Sequence, residues 1–236
     1  MIRELDVKIF ADGADLDAIL ALAADKRISG FTTNPTLMWK AGLTDYEDFA
    51  RRLLERITVH PISFEVFADD EAEIHRQALK ITGWGENVYV KVPVTTTDGA
   101  SMAPLVRELS EAGVKVNVTA LFTIAQVELI TEAVRDGAPS YISVFAGRIA
   151  DAGVDPLPIM ARAVDIMVAA PRSELIWASP REVLNVIQAD QVGCHVITMT
   201  NDLLKKLDGL GKDLGQFSLE TVQMFRRDAV QAGFTL

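Results

Sequence analysis

The chain has one cysteine, Cys194, and three histidines, His60, His75 and His195. A lone thiol excludes an internal disulfide and suits a reducing compartment. The histidines are dispersed and none belongs to a close pattern with Asp, Glu or Cys, so no metal site is expected. Cys194 precedes the last expected strand and reads as a small buried hydrophobe. No apolar run is long enough to cross a bilayer, so no membrane partner is expected. MIRELDVKIF has no apolar targeting stretch ahead of the first expected strand, and a cytoplasmic protein is the expectation. Basic residues are the minority, 23 against 33 acidic, for a formal net charge of -10. That balance argues against a nucleic-acid partner but leaves room for a small basic pocket. Also missing are a glycine-rich dinucleotide loop after the first strand, a nucleotide-type phosphate loop and a GxSxG elbow. Nothing in the composition or motifs calls for a cofactor.

What the 236 residues do contain is 49% hydrophobic, enough for a full core in one large α/β domain or two small ones. Short β-rich runs alternate with longer amphipathic runs throughout. VKIFA precedes DLDAILALAADK, GFTT precedes DYEDFARRLLERI, and PISFEV precedes DEAEIHRQALKIT. NVYVKVPV, VKVNVT, SYISVFA, ELIWAS and CHVITM continue the series, each followed by a helical run. The strand runs are rich in Val, Ile and Phe and are separated by crossover helices, which predicts a parallel sheet. Eight such units match a closed (β/α)8 TIM barrel in count and size; an open doubly wound sheet is the alternative. No interdomain linker, low-complexity tract or residue-level repeat interrupts residues 1–236, so a single domain is expected. SLETVQMFRRDAVQAG predicts an additional C-terminal helix at about 218–232, covering the barrel or packing on another subunit.

In such a barrel, chemistry collects at the C-terminal ends of the strands. Those positions hold Asp12, Asn34, Glu65, Lys91, Asn117, Thr119, Ser143, Ser179 and Arg181. Lys91 stands late in NVYVKVPV, inside an apolar β-branched run, whereas Lys115 enters its strand early and belongs at the opposite face. An amine that loses solvation is more easily neutral, and a neutral amine attacks a ketone to form a Schiff base. The plainer alternative is a structural lysine paired with Asp12 or Glu65. Carboxylates and neutral polar groups on the same rim favour catalysis, because iminium chemistry moves a proton at every step.

Each partner also has an ordinary reading. Asp12 or Asp15 fits a helix cap, and Thr33, Asn34 and Pro35 fit a turn. Ser143 and Phe145 fit barrel packing. Glu65, between Phe64 and Val66, is harder to explain without a partner or solvent. ASPREVLNV places Ser179 and Arg181 at an expected helix start, with Pro180 in its first turn, an arrangement suited to phosphate. Arg148, in VFAGRIADAG, closes that cradle from the side; the alternative is surface arginines with neighbours such as Glu182.

The ordered set IFADGAD, GFTTNPTL, SFEVFA, NVYVKVPV, VNVTALFT, SVFAGRI and WASPREVLNV resembles the small, compact members of the transaldolase family. The resemblance implies that Lys91 forms the Schiff base and that Asp12 is the acid/base at the hydroxyl beside the breaking bond. Glu65 and Thr119 then activate water, while Asn34, Asn117 and Ser143 hold substrate hydroxyls. Phe145 lines the pocket, and Arg148, Ser179 and Arg181 hold the phosphate of a phosphorylated sugar. The same family includes fructose 6-phosphate aldolases, which typically carry glutamine at the Glu65 position and tyrosine at the Phe145 position. This chain has the transaldolase-like choice at both, which favours transfer of dihydroxyacetone over its release. Gly13 stands where relatives often have threonine, Pro180 where a bulkier residue is frequent, and the DAGVDP loop has its own composition. A non-catalytic sugar-phosphate-binding barrel is the competing class. The resemblance also implies a homo-oligomer, a pentamer or paired rings forming a decamer.

Overall fold

The computed structural model describes residues 5–235. Eight parallel strands close into a barrel in chain order: β1 (Lys8–Asp12), β2 (Ile28–Thr32), β3 (Ile62–Glu65), β4 (Val88–Pro93), β5 (Val116–Leu121), β6 (Ser140–Val144), β7 (Ser173–Trp177) and β8 (Val196–Thr200). Closure is made by β1 pairing with β8 as well as β2. The open-sheet alternative is thereby excluded.

Around the barrel run α1 (Leu16–Leu22), α2 (Pro35–Lys40), α3 (Tyr46–Leu54), α4 (Glu71–Thr82), α5 (Ala103–Glu111) and α6 (Ile124–Val134). They continue with α7 (Ala146–Asp151), α8 (Pro156–Met167), α9 (Leu184–Gln191), α10 (Asn201–Leu204) and α11 (Leu214–Gln231). Side chains at the helix starts satisfy free N–H groups. Asp15, Asp45, Asp70, Asp155 and Asp213 each accept from the first turn, and Thr123 with Gln126 forms a capping box. Inward apolar faces such as Ile74, Ala78 and Ile81 of α4 pack on strand residues such as Phe64, Val90 and Val118. Gly30 is needed where it stands, since a Cβ there would come within 2.6 Å of the Phe10 ring.

Strand pairing aligns the functional rim. Glu65 pairs in register with Lys91, Lys91 with Asn117, and Pro93 with Thr119. Asp12 lies level with Thr32 on one side and Thr200 on the other.

Several boundaries differ from the sequence expectation. The Asn34–Pro35 turn opens a real helix, α2, because Asn34 caps it and Pro35 occupies its first turn. The extra C-terminal helix begins earlier than 218, at Leu214, where Asp213 supplies the cap. No residue of α11 is buried, so its apolar side does not cover the barrel. No helix among the described residues is long and apolar enough to cross a membrane.

Candidate active site

At the C-terminal mouth lies a cavity of about 450 Å³. Its lining brings together all the rim residues expected from the sequence: Lys91, Asp12, Glu65, Thr119, Asn34, Asn117, Ser143, Phe145, Arg148, Ser179 and Arg181. Lys115 is elsewhere, beside Tyr89 at the opposite mouth, where its Nζ donates to the Glu86 carbonyl at 2.7 Å.

Lys91 is 8% exposed and lines the barrel mouth, on the opposite face of β4 from Val90 and Val92. Its Nζ donates to the Thr33 carbonyl at 2.7 Å and lies 3.2 Å from Glu65 Oε2. Both charges of this pair therefore have a partner, the condition for keeping ions in a low-dielectric site. Asp12 accepts from Thr32 Oγ1 at 2.8 Å and from Asn34 Nδ2 at 3.3 Å. Burial pushes the Asp12 carboxyl above its ordinary range, with Lys91 and these two donors acting in the opposite sense. The result is a carboxylate of increased basicity, suited to taking a proton from an alcohol. Asp15, rather than Asp12, caps α1.

Asn34 has two functions: Oδ1 caps α2 through Leu37 N at 2.9 Å, and Nδ2 orients Asp12. Across the barrel, Ser143 Oγ donates to Asn117 Oδ1 at 2.7 Å, and Asn117 Nδ2 donates to Ser63 Oγ at 3.0 Å. This buried chain fixes the amide orientation and presents polar atoms beside Lys91. Thr119, 3% exposed, stands at the β5 irregularity.

The residues expected to hold an anion are arranged differently from the sequence expectation. Ser179 and Arg181 do not open a helix, because α9 begins only at Leu184. The backbone N–H groups of Arg181 and Glu182 are occupied by Asn185 Oδ1, at 2.8 and 3.1 Å. What remains for an anion is side-chain chemistry. Arg181 is paired with Asp151 rather than with Glu182, through Nε at 3.0 Å and Nη2 at 2.5 Å. The Arg148 guanidinium lies over the Phe145 ring, 5.0 Å from its centroid.

Three features had no sequence expectation. Thr32 orients Asp12. Tyr46 Oη accepts the Glu65 N–H at 2.7 Å from outside the barrel, and burial raises the phenol well above its usual range, keeping it protonated. Among the described residues, the non-glycine positions with left-handed backbone are Ala120 (φ 63) and Ser179 (φ 57), and both line the cavity. Sparsely populated backbone of this kind gathers at functional sites. No glycine marks either position in the sequence.

The closed barrel gathers a buried lysine and two carboxylates at its C-terminal rim, the end at which barrel enzymes carry their chemistry. The chain belongs to the transaldolase/fructose-6-phosphate aldolase family, whose model matches residues 9–236. A "probable transaldolase" of Thermoanaerobacter sp. is 36% identical over 202 residues, covering 85% of this chain and 89% of that protein. One from Methanococcus maripaludis is 32% identical over 223 residues, covering 91% and 99%. Among solved structures, the tryptophan synthase α-subunit of Pyrococcus furiosus aligns with a TM-score of 0.58 at 14% identity, covering 92% of this chain and 96% of that one. A putative lyase/mutase from Burkholderia cenocepacia aligns with a TM-score of 0.59 at 14% identity, covering 96% and 86%. At that identity these structures speak for the fold alone.

Proposed function

We propose that this chain, acting as one catalytic domain over residues 1–236, is a transaldolase. It moves a dihydroxyacetone unit from fructose 6-phosphate or sedoheptulose 7-phosphate to an aldose phosphate through a Schiff base on Lys91. The observation that carries the reading is the Lys91–Glu65 contact of 3.2 Å beside the desolvated Asp12 carboxyl.

Glu65 takes a proton from the ammonium, and the neutral amine adds to the C2 ketone. Loss of water, aided by Glu65 and Thr119, leaves an iminium. Asp12 then removes the C4 hydroxyl proton and the C3–C4 bond breaks, its electrons passing into the iminium. An aldose phosphate departs and a three-carbon enamine stays on Lys91. The enamine attacks the acceptor aldehyde, Asp12 returns its proton, and water releases the new ketose. Because the iminium is the electron sink, the scheme calls for neither metal nor organic cofactor. Asn34, Asn117 and Ser143 meet substrate hydroxyls, Phe145 walls the pocket, and Arg148, Ser179 and Arg181 receive the phosphate.

The exposed apolar side of α11 supports a homo-oligomeric assembly, a pentamer or decamer. Leu219, Val222, Phe225 and Val230 are 51%, 61%, 64% and 57% exposed, a continuous patch of the kind that self-association covers.

Incubation with fructose 6-phosphate, with and without erythrose 4-phosphate, tests the reading. Acceptor-dependent sedoheptulose 7-phosphate is the expected product. Free dihydroxyacetone without acceptor makes the protein an aldolase, and no product makes it a binding barrel.

A further inference from the structure

Seven strands and the segments that follow them supply the residues assigned to the proposed chemistry; β8 supplies none. Ile197 and Met199 of β8 belong to the core outside the barrel, while Val196 packs inside it with Phe10. Thr198 and Thr200 share the inward face with Val196, and both line the catalytic mouth. By strand register Thr198 is level with Phe10, and Thr200 with Asp12.

Neither hydroxyl is used by the fold. Thr200 stands at the N-cap of α10, where a threonine ordinarily accepts from the first turn, yet its side chain makes no cap bond. Thr198 is 7% exposed, and its hydroxyl has no partner among the described residues. A hydroxyl in such a position is costly unless something that enters the mouth bonds to it.

Strand order says what enters. β8 lies between β1, which carries Asp12, and β7, whose following loop carries Ser179 and Arg181. In the proposed reaction Asp12 meets the C4 hydroxyl, and Ser179 and Arg181 meet the phosphate on C6 of fructose 6-phosphate. The carbon chain between those two contacts runs along β8, and the hydroxyl on that stretch is the one on C5. We infer that Thr198 and Thr200 form a subsite for the C5 hydroxyl, which in the acceptor aldose is the hydroxyl on C2. The inference rests on the transaldolase reading above. It makes β8 a determinant of specificity, favouring aldose phosphates that carry a hydroxyl beside the aldehyde.

The test compares D-glyceraldehyde 3-phosphate, which has that hydroxyl, with 3-oxopropyl phosphate, which lacks it. Sedoheptulose 7-phosphate is the donor, and kcat/KM for the acceptor is the readout, because in a ping-pong reaction it reports the acceptor half alone. Differences in reactivity between the two aldehydes cancel when their ratio is compared across variants. The parent prefers D-glyceraldehyde 3-phosphate. Thr198→Val with Thr200→Val lowers that preference about ten-fold, the scale of one neutral hydrogen bond, by loss on the hydroxylated aldehyde alone. Thr198→Ser with Thr200→Ser keeps it. The valine singles are measured alongside, so a double that does not fold still leaves the ratio readable. An unchanged ratio in the folded valine variants, equal losses on both aldehydes, or a serine variant as impaired as the valine one overturns the subsite while transfer stands. No ketose from the parent with either aldehyde overturns the transaldolase reading, and the subsite with it.

Discussion

Gly147→Ala tests whether the anion cradle depends on how closely α7 meets the loop after β7. A Cβ at Gly147 would lie 1.5 Å from the Ser179 carbonyl oxygen and 2.6 Å from its carbon, whereas real Cβ contacts below 3.0 Å are essentially absent. The carbonyl must therefore retreat by about 1.5 Å, and it is backbone with no rotamer to yield. That shift carries Ser179 and Arg181 away from Arg148 and strains the Gly147 N–H to Ala178 carbonyl bond of 3.3 Å. Charge-assisted hydrogen bonds contribute about 1.5–3 kcal/mol each, so losing one raises KM for phosphorylated donors by roughly 10–100-fold. Overpacking costs the fold about 1–3 kcal/mol, measurable by urea unfolding. Steady-state kinetics with fructose 6-phosphate and with fructose give the decisive comparison. Arg181→Ala is the reference, with a loss of the same kind and no backbone shift. Equal losses for both sugars in Gly147→Ala would refute the reasoning, since they place the damage at Lys91 rather than at the phosphate.

Glu65→Gln with Phe145→Tyr is expected to move products from transfer toward free dihydroxyacetone; the singles and the double are compared as product ratios, because neighbouring changes couple. Asp12 must be ionised to take the C4 proton, and burial raises its carboxyl, so activity falls on the acid side above the ordinary value of 3.8. The same raised value means that Asp12 favours the folded state most below pH 3.8, an advantage lost as pH rises through its folded value. A pH–rate profile checks the first statement; an acid limb at or below 3.8 contradicts it. Light scattering on the full chain is expected to give a multiple of 25.8 kDa, and a monomer at every concentration removes the role given to α11.

Much of the fold and the core of the site could be read from the residues. Alternating β-rich and amphipathic runs carry their own period, and eight units match a closed barrel, but closure itself is decided by the β1–β8 pairing. Lys91 and Glu65 stood out because charge inside a β-branched run needs a partner, and strand register makes them partners. The loop after β7 was misread because SPRE looks like a helix start. The side chain of Asn185, four residues beyond Arg181, takes the N–H groups that a helix start would leave free. Tyr46 could not be found because it reads as one apolar position on an amphipathic helix, and its hydroxyl meets Glu65 only across the barrel wall. Ala120 adopts left-handed backbone without a glycine to announce it. For α11, spacing alone allowed burial on its own barrel or on a neighbour, and the absence of any buried residue along it decides against the first.

Whether Lys91 forms an imine with a ketose phosphate is tested most directly by borohydride reduction followed by peptide mass analysis, with Lys91→Met alongside. Lys91 is 8% exposed, and methionine matches most of its length while deleting the amine that meets Thr33 and Glu65. The account predicts sugar-derived mass on Lys91 of the parent, none on the folded variant, and loss of nearly all turnover in that variant. Mass on Lys115, or a Lys91→Met protein that still turns over, contradicts it.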